Sequence, residues 1–129
     1  MNTIFEFCLG IKHRKFQMKK IELDIKNLEH AITENFIPIL EEAYEKSPPK
    51  LGDLMMFIDF KDKYAFPVVV TDINGNNLRA KESKTCYHSF SLKMDPDKYY
   101  TSTFVIPMEM FNTMQEQFKF NVLESRVYG

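Results

Sequence analysis

Residues 51–106 carry short apolar, β-branched and aromatic runs separated by turn signals, with Asn74-Gly75 at their centre. Runs of this length between such turns read as an antiparallel meander, and no other feature limits the available folds as strongly. Asparagine and glycine tolerate positive φ, so Asn74-Gly75-Asn76 predicts a tight hairpin of type I′. Residues 54–60 (Leu-Met-Met-Phe-Ile-Asp-Phe) are apolar on both faces until Asp59, as in a central strand covered on two sides. Lys61-Asp62-Lys63 supplies the next turn. A second strand is expected over residues 65–73, with Pro67 near its start or on an unpaired edge, where a missing amide costs least. Further strands are expected over 78–83, 85–93 and 99–106, the last two separated by a turn at Asp95-Pro96-Asp97.

Ahead of the meander, residues 18–26 alternate polar and apolar side chains with period two, as a half-buried strand does. From Asn27 the period changes. Leu28, Ala31, Ile32, Phe36, Ile39, Leu40 and Ala43 recur at three- and four-residue steps, predicting an amphipathic helix capped by Asn27 and ended by Ser47-Pro48-Pro49. Pro38 lies inside it and removes a backbone bond, so a kink or two helices meeting near Phe36 to Pro38 is expected. After the meander, Pro107 suits the start of a second helix to about Phe118, and Phe118, Phe120 and Val122 alternate as a short closing strand. The expected fold is α+β: an N-terminal strand and kinked helix packed on a curved five-stranded antiparallel sheet or partly open SH3-like barrel, with a short C-terminal helix. Residues 1–17 stand apart as an N-terminal arm, ahead of one domain over 18–129.

With 129 residues, the chain is long enough to bury a core without staples. Its net charge of -1 supplies no general basic field, so nucleic acid would need a local patch. Only Cys8 and Cys86 are cysteines, which is not the dense framework of a small secreted domain. The apolar start (Ile4, Phe5, Phe7, Cys8, Leu9, Ile11) precedes its charges Lys12, His13, Arg14 and Lys15, the reverse of a signal peptide. No stretch reaches the roughly 18 apolar residues of a membrane span. The expectation is a cytoplasmic protein, of a cell or of a phage host, that is not membrane-bound.

Cys86 and His88 are two apart on an expected strand and so share a face, as a nucleophile and base or two metal ligands do. Phe90 and Leu92 share that face too, which reads as core, with cysteine acting as a small hydrophobe and histidine hydrogen-bonded. A zinc site ordinarily gathers four ligands, often in close pairs, and only Cys8, His13 and His30 remain to complete one. Asp59, Asp72, Asp95 and Asp97 read as turn formers, because Asp72-Ile73-Asn74-Gly75-Asn76 departs from the register of a calcium loop. No phosphate-cradling glycine loop, nucleophile elbow or HExxH helix occurs. No catalytic residue, cofactor or metal is therefore expected.

Two surfaces remain. Arg79, Lys81, Lys84, Tyr87 and Lys93 form a candidate basic and aromatic patch for single-stranded nucleic acid, diluted by Glu82, Asp95 and Asp97. Met108, Met110, Phe111, Met114 and Phe118 form a candidate interaction surface, since soft and aromatic side chains adapt to irregular partners.

The run Lys50-Leu51-Gly52-Asp53-Leu54-Met55-Met56-Phe57, followed by Phe66-Pro67-Val68-Val69-Val70, resembles the opening of small SH3-like barrels, including the MazF-type toxin ribonucleases. The likeness covers about twenty residues, and the arginine that the toxin family leads one to expect before Pro67 is missing, so no catalytic residue is carried over. A leading strand and helix ahead of a sheet is also similar to the layout of small phage head-to-tail joining proteins. The expected function is a non-enzymatic protein-interaction or assembly component, self-associating or with a protein partner, encoded by a phage or other mobile element. The alternative is a small-barrel nucleic-acid binder or, more remotely, a MazF-like ribonuclease.

Overall fold

The computed structural model describes residues 31–94 and 102–127. The arm over 1–17, the strand over 18–26, the Asn27 cap and the turn at Asp95-Pro96-Asp97 lie outside the described residues.

Pro38 shapes the first helix. Its ring clashes with the carbonyl four residues back and it has no amide to donate. The chain answers with a π-helical turn, Ile32–Phe36, in which Ile37 N–H bonds Ile32 O, and only then continues as α1, Ile37–Lys46. A wider turn makes room for the ring without ending the helix, so the expected break near Phe36 to Pro38 takes the form of a change in helical pitch. The apolar stripe stays in phase across it: Ala31, Ile32, Phe36, Ile37, Leu40, Ala43 and Tyr44 are buried.

Five strands follow the predicted order: β1 (Leu54–Asp59), β2 (Tyr64–Asn74), β3 (Asn77–Lys81), β4 (Tyr87–Ser91) and β5 (Thr103–Pro107). They pair antiparallel as β4-β3-β2-β1-β5. β1 is central, and Met55, Met56 and Ile58 are buried on its two faces as its apolar run predicts. The central hairpin differs in detail. Asn74 pairs with Asn77, so Gly75-Asn76 is the loop. Gly75 takes φ +63° while Asn76 stays at negative φ, the pattern of a type II′ turn rather than type I′.

On one face of the sheet, opposed pairs place Phe57 beside Phe66, Ala80 beside His88 and Leu78 beside Phe90. Neighbouring strands lie about 4.8 Å apart, so β1 and β4, three steps apart in the order, would be about 14 Å apart in a flat sheet. Yet the Phe57 ring on β1 and the His88 ring on β4 have centroids 4.6 Å apart. The sheet is therefore curled into a half-barrel with these residues inside.

The curl brings the two outer strands toward each other, and α1 spans them. Tyr44 donates its hydroxyl hydrogen bond to the buried Val105 carbonyl on β5, and its ring lies 6.3 Å from that of Phe90 on β4. Glu41 accepts from the Met94 amide, at 3.0 Å, just beyond β4. On the opposite face Phe104 meets Phe36 at 4.9 Å, and Phe36 meets Phe60 at 4.8 Å. Phe60 then meets Phe118 at 5.4 Å and Phe120 at 5.8 Å, at the end of α2 (Met108–Phe118). This aromatic chain ties both helices to the sheet. The result is an α+β fold with a partly open barrel.

A last strand, β6 (Asn121–Val122), pairs with β2 in parallel beside Tyr64 and Ala65. Val70 exchanges its hydrogen bonds with the β1 side, through Asp53 O and Gly52 N, so by alternation Ala65, Pro67 and Val69 face the other way. On that side β3 reaches only to Lys81 opposite Val69, and β6 only to Val122 beside Ala65. Pro67, which has no amide to offer, occupies the interval between them.

Tyr44 provides a test of how α1 holds the half-barrel. Tyr44→Phe leaves the Val105 carbonyl buried without that donor, an expected loss of about 1–3 kcal/mol in denaturant unfolding, and Tyr44→Ala loses about 3–5 kcal/mol. An unchanged midpoint for Tyr44→Phe rules out a structural role for the hydroxyl.

Candidate functional site

The inner face of the β3–β4 hairpin carries Leu78, Ala80 and Glu82 on the way in and Cys86, His88 and Phe90 on the way out. The loop between is polar (Ser83-Lys84-Thr85) and closes through Glu82 N to Cys86 O at 2.7 Å and Ser83 N to the same oxygen at 3.3 Å. Alternation therefore brings Glu82, Cys86 and His88 onto one face at the rim of the half-barrel.

Their functional atoms converge. His88 Nε2 lies 2.9 Å from Glu82 Oε1, Cys86 Sγ lies 3.3 Å from the same oxygen, and Sγ and Nε2 are 4.0 Å apart. The carboxylate can only accept, which places hydrogens on both Nε2 and Sγ. Its other oxygen, Oε2, pairs with the Arg126 guanidinium. Arg126 comes from the tail after β6, which runs on beside β2 toward the hairpin. The carboxylate of Glu82 is only 12% exposed, so it needs these partners. Arg126 itself is 64% exposed. Pro67, Leu123 and Glu124 line a shallow cleft of about 280 Å³ beside the pair.

His88 is wedged between rings, 4.6 Å from Phe57 and 5.6 Å from Phe66. Burial there pushes its imidazole below the ordinary histidine value. His88 is hydrogen-bonded, and Phe90 and Leu92, which share its face, are packed against the core as partly buried side chains. Cys86 and His88 themselves are only partly buried.

This is not the geometry of a nucleophile and its base. Such a relay uses one ring nitrogen for the thiol and the other for the carboxylate. Here the nitrogen nearest the thiol is the one bonded to Glu82, and three different potential metal-donor atoms lie within 4.8 Å of one another. In the sequence Glu82 reads only as a charge diluting the basic patch. The signal that would have found it is the mirrored alternation about the loop, 78-80-82 against 86-88-90.

The other candidate residues separate. Arg79, Lys81 and Tyr87 stand together on the outer face of β3 and β4, where Arg79 lies over the Tyr87 ring at 4.8 Å and pairs with Asp72 at 3.6 Å. Lys84 is in the hairpin loop and Lys93 lies beyond the far end of β4, so the five do not form one cluster. The methionine face of α2 is largely core: Met110, Phe111 and Met114 are buried, and Met108 and Phe118 are half-buried against it. Packing against β1 and β5 consumes that apolar stripe, which corrects its reading as surface. Asp59 accepts from the Lys61 and Asp62 amides at 2.8 and 3.0 Å and so forms the turn expected of it.

A second feature is a cleft of about 350 Å³ bordered by β4 from Tyr87 to Ser91 and by β5, with Phe57 and Leu40 among its apolar walls. Comparison with family models, with curated proteins and with solved structures finds no match.

The depressed His88 value has a definite sign in stability. Above the unfolded-state value of about 6.5 the neutral imidazole costs nothing extra; as pH falls through 6.5 toward the lower folded value, the unfolded chain takes up a proton first. Stability should therefore fall with acidification in that window, by at most about 1.4 kcal/mol per pH unit from this group. His88→Gln should flatten that part of a urea-unfolding series, and an equal slope in both proteins would assign it elsewhere.

Proposed function

We propose that the protein is a non-enzymatic interaction or assembly component that pairs a strand of a partner protein, or of a second copy, with the edge of β4. The observation that supports this is the hydrogen-bond direction along that strand. Glu82 and Cys86 form a bonded pair, so alternation turns the backbone groups of His88 and Phe90 toward β3 and those of Tyr87 and Ser89 outward. Among the described residues no strand pairs with β4 on that side. An edge of this kind templates strand addition, in which main-chain bonds supply affinity and adjoining pockets supply selectivity.

The surroundings fit such an occupant. The cleft of about 350 Å³ runs along the same edge, with Phe57, Phe90 and Leu40 beside the polar side chains of Ser89, Ser91 and Thr103. On the outer face of the edge strand itself Tyr87 is 44% exposed. Among the described residues no helix is long and apolar enough to cross a membrane.

Ser89→Pro removes an outward amide while leaving the β3 side of the ladder intact. The wild-type chain should self-associate in size-exclusion chromatography with light scattering, or retain a partner in a pull-down from its host, and Ser89→Pro should abolish whichever is seen. A strictly monomeric wild type that retains no partner, or an assembly indifferent to Ser89→Pro, contradicts the reading.

A further inference from the structure

We propose that Glu82, Cys86 and His88 form a binding site for a single zinc-class divalent ion, held through Oε1, Sγ and Nε2 with a fourth position open to water.

The spacing of the donor atoms is the first argument. An ion bound tetrahedrally at about 2.3 Å from sulfur and about 2.0–2.1 Å from nitrogen and oxygen sets donor separations of about 3.5 Å for sulfur to nitrogen or oxygen and about 3.4 Å for nitrogen to oxygen. The observed separations are 4.0 Å for Sγ to Nε2, 3.3 Å for Sγ to Oε1 and 2.9 Å for Nε2 to Oε1. Each differs from the tetrahedral value by about half an ångström or less, which side-chain rotation alone supplies. The three atoms already surround one point.

The donor set is the second argument. Thiolate, imidazole and carboxylate suit zinc and cobalt, and three protein ligands with the fourth position left to water is an established arrangement of zinc sites that are not fully closed. Thiolate and carboxylate set two negative charges against the two positive charges of the ion, and the positive charge left on Arg126, which also pairs with that carboxylate, is 64% exposed to water. Binding releases the Sγ proton to water as the sulfur–metal bond forms, and the imidazole moves its proton from Nε2 to Nδ1 to free the ligating lone pair.

The supporting groups are the third. Arg126 holds Oε2 and leaves Oε1 as the single carboxylate donor. Phe57 and Phe66 fix the imidazole plane from the aromatic side. Outer contacts of this kind orient ligands in metal centres.

Cobalt(II) tests the site in the full-length chain. Titration should develop the thiolate-to-cobalt charge-transfer band together with the intense visible bands of a four-coordinate ion, at one equivalent per chain, and zinc should displace both. Cys86→Ser should remove the charge-transfer band, while Cys8→Ser, changing the only other cysteine, should leave it. His88→Gln and Glu82→Gln should each weaken binding by at least about tenfold, with circular dichroism verifying that each variant is folded. A wild-type chain that develops no thiolate–cobalt band at millimolar cobalt overturns the proposal. So does a band that survives Cys86→Ser or disappears with Cys8→Ser.

Discussion

The contact between Phe57 on β1 and His88 on β4 is the constraint on which the rest of the structure depends, because it exists only if the sheet is rolled. Rolling buries Phe66, Val68, Ala80 and Leu78, packs the partly buried Phe57 against them, and converts a two-faced sheet into an inside and an outside. Among the described residues it also leaves β4 and β5 facing each other without a strand between them. Tyr44 then has something to span, and a single residue of α1 touches both outer strands. Pro38 is tolerated because the π-helical turn before it keeps α1 in phase with that task.

The same rolling produces the cluster at the rim. A charged Glu82 on the inner face of a flat sheet would sit in water with no obligation to its neighbours. On the curled sheet it is nearly covered, and its two oxygens divide their partners between His88 and Cys86 on one side and Arg126 on the other. Arg126 reaches it because β6 takes over the edge of β2 where β3 stops, an exchange that Pro67 permits by offering no donor in the interval. Removing Arg126 leaves the nearly covered Glu82 carboxylate without its charged partner, and this pair ties the hairpin to the C-terminal tail.

What was legible in the sequence was local or periodic. The meander over 51–106, the doubly apolar strand at Met55 to Ile58, the break at Pro38 and the helix after Pro107 each follow from spacing and backbone chemistry that neighbouring residues decide. The turn at Gly75 was found but mistyped, since Asn-Gly favours positive φ at both loop residues and the register instead placed Gly75 first. The methionines of α2 were misplaced because a soft apolar stripe looks the same whether it meets core or partner; β1 and β5 decide it. Glu82 was out of reach for a different reason. Its role depends on a hairpin register and on a residue, Arg126, more than forty positions away in the chain. The pairing of Arg79 with Asp72 and Tyr87 likewise rests on cross-strand neighbours.

The curl can be measured without perturbing it. In a spectrum of protein carrying isotope labels in its phenylalanine and histidine rings, the rolled sheet predicts a strong nuclear Overhauser effect between the ring protons of Phe57 and His88, whose centroids are 4.6 Å apart. Strands three steps apart in a flat sheet lie about 14 Å from each other and give none. Assigned resonances with no cross-peak between these two rings would contradict the half-barrel, and with it the placement of Glu82, Cys86 and His88 around a common point.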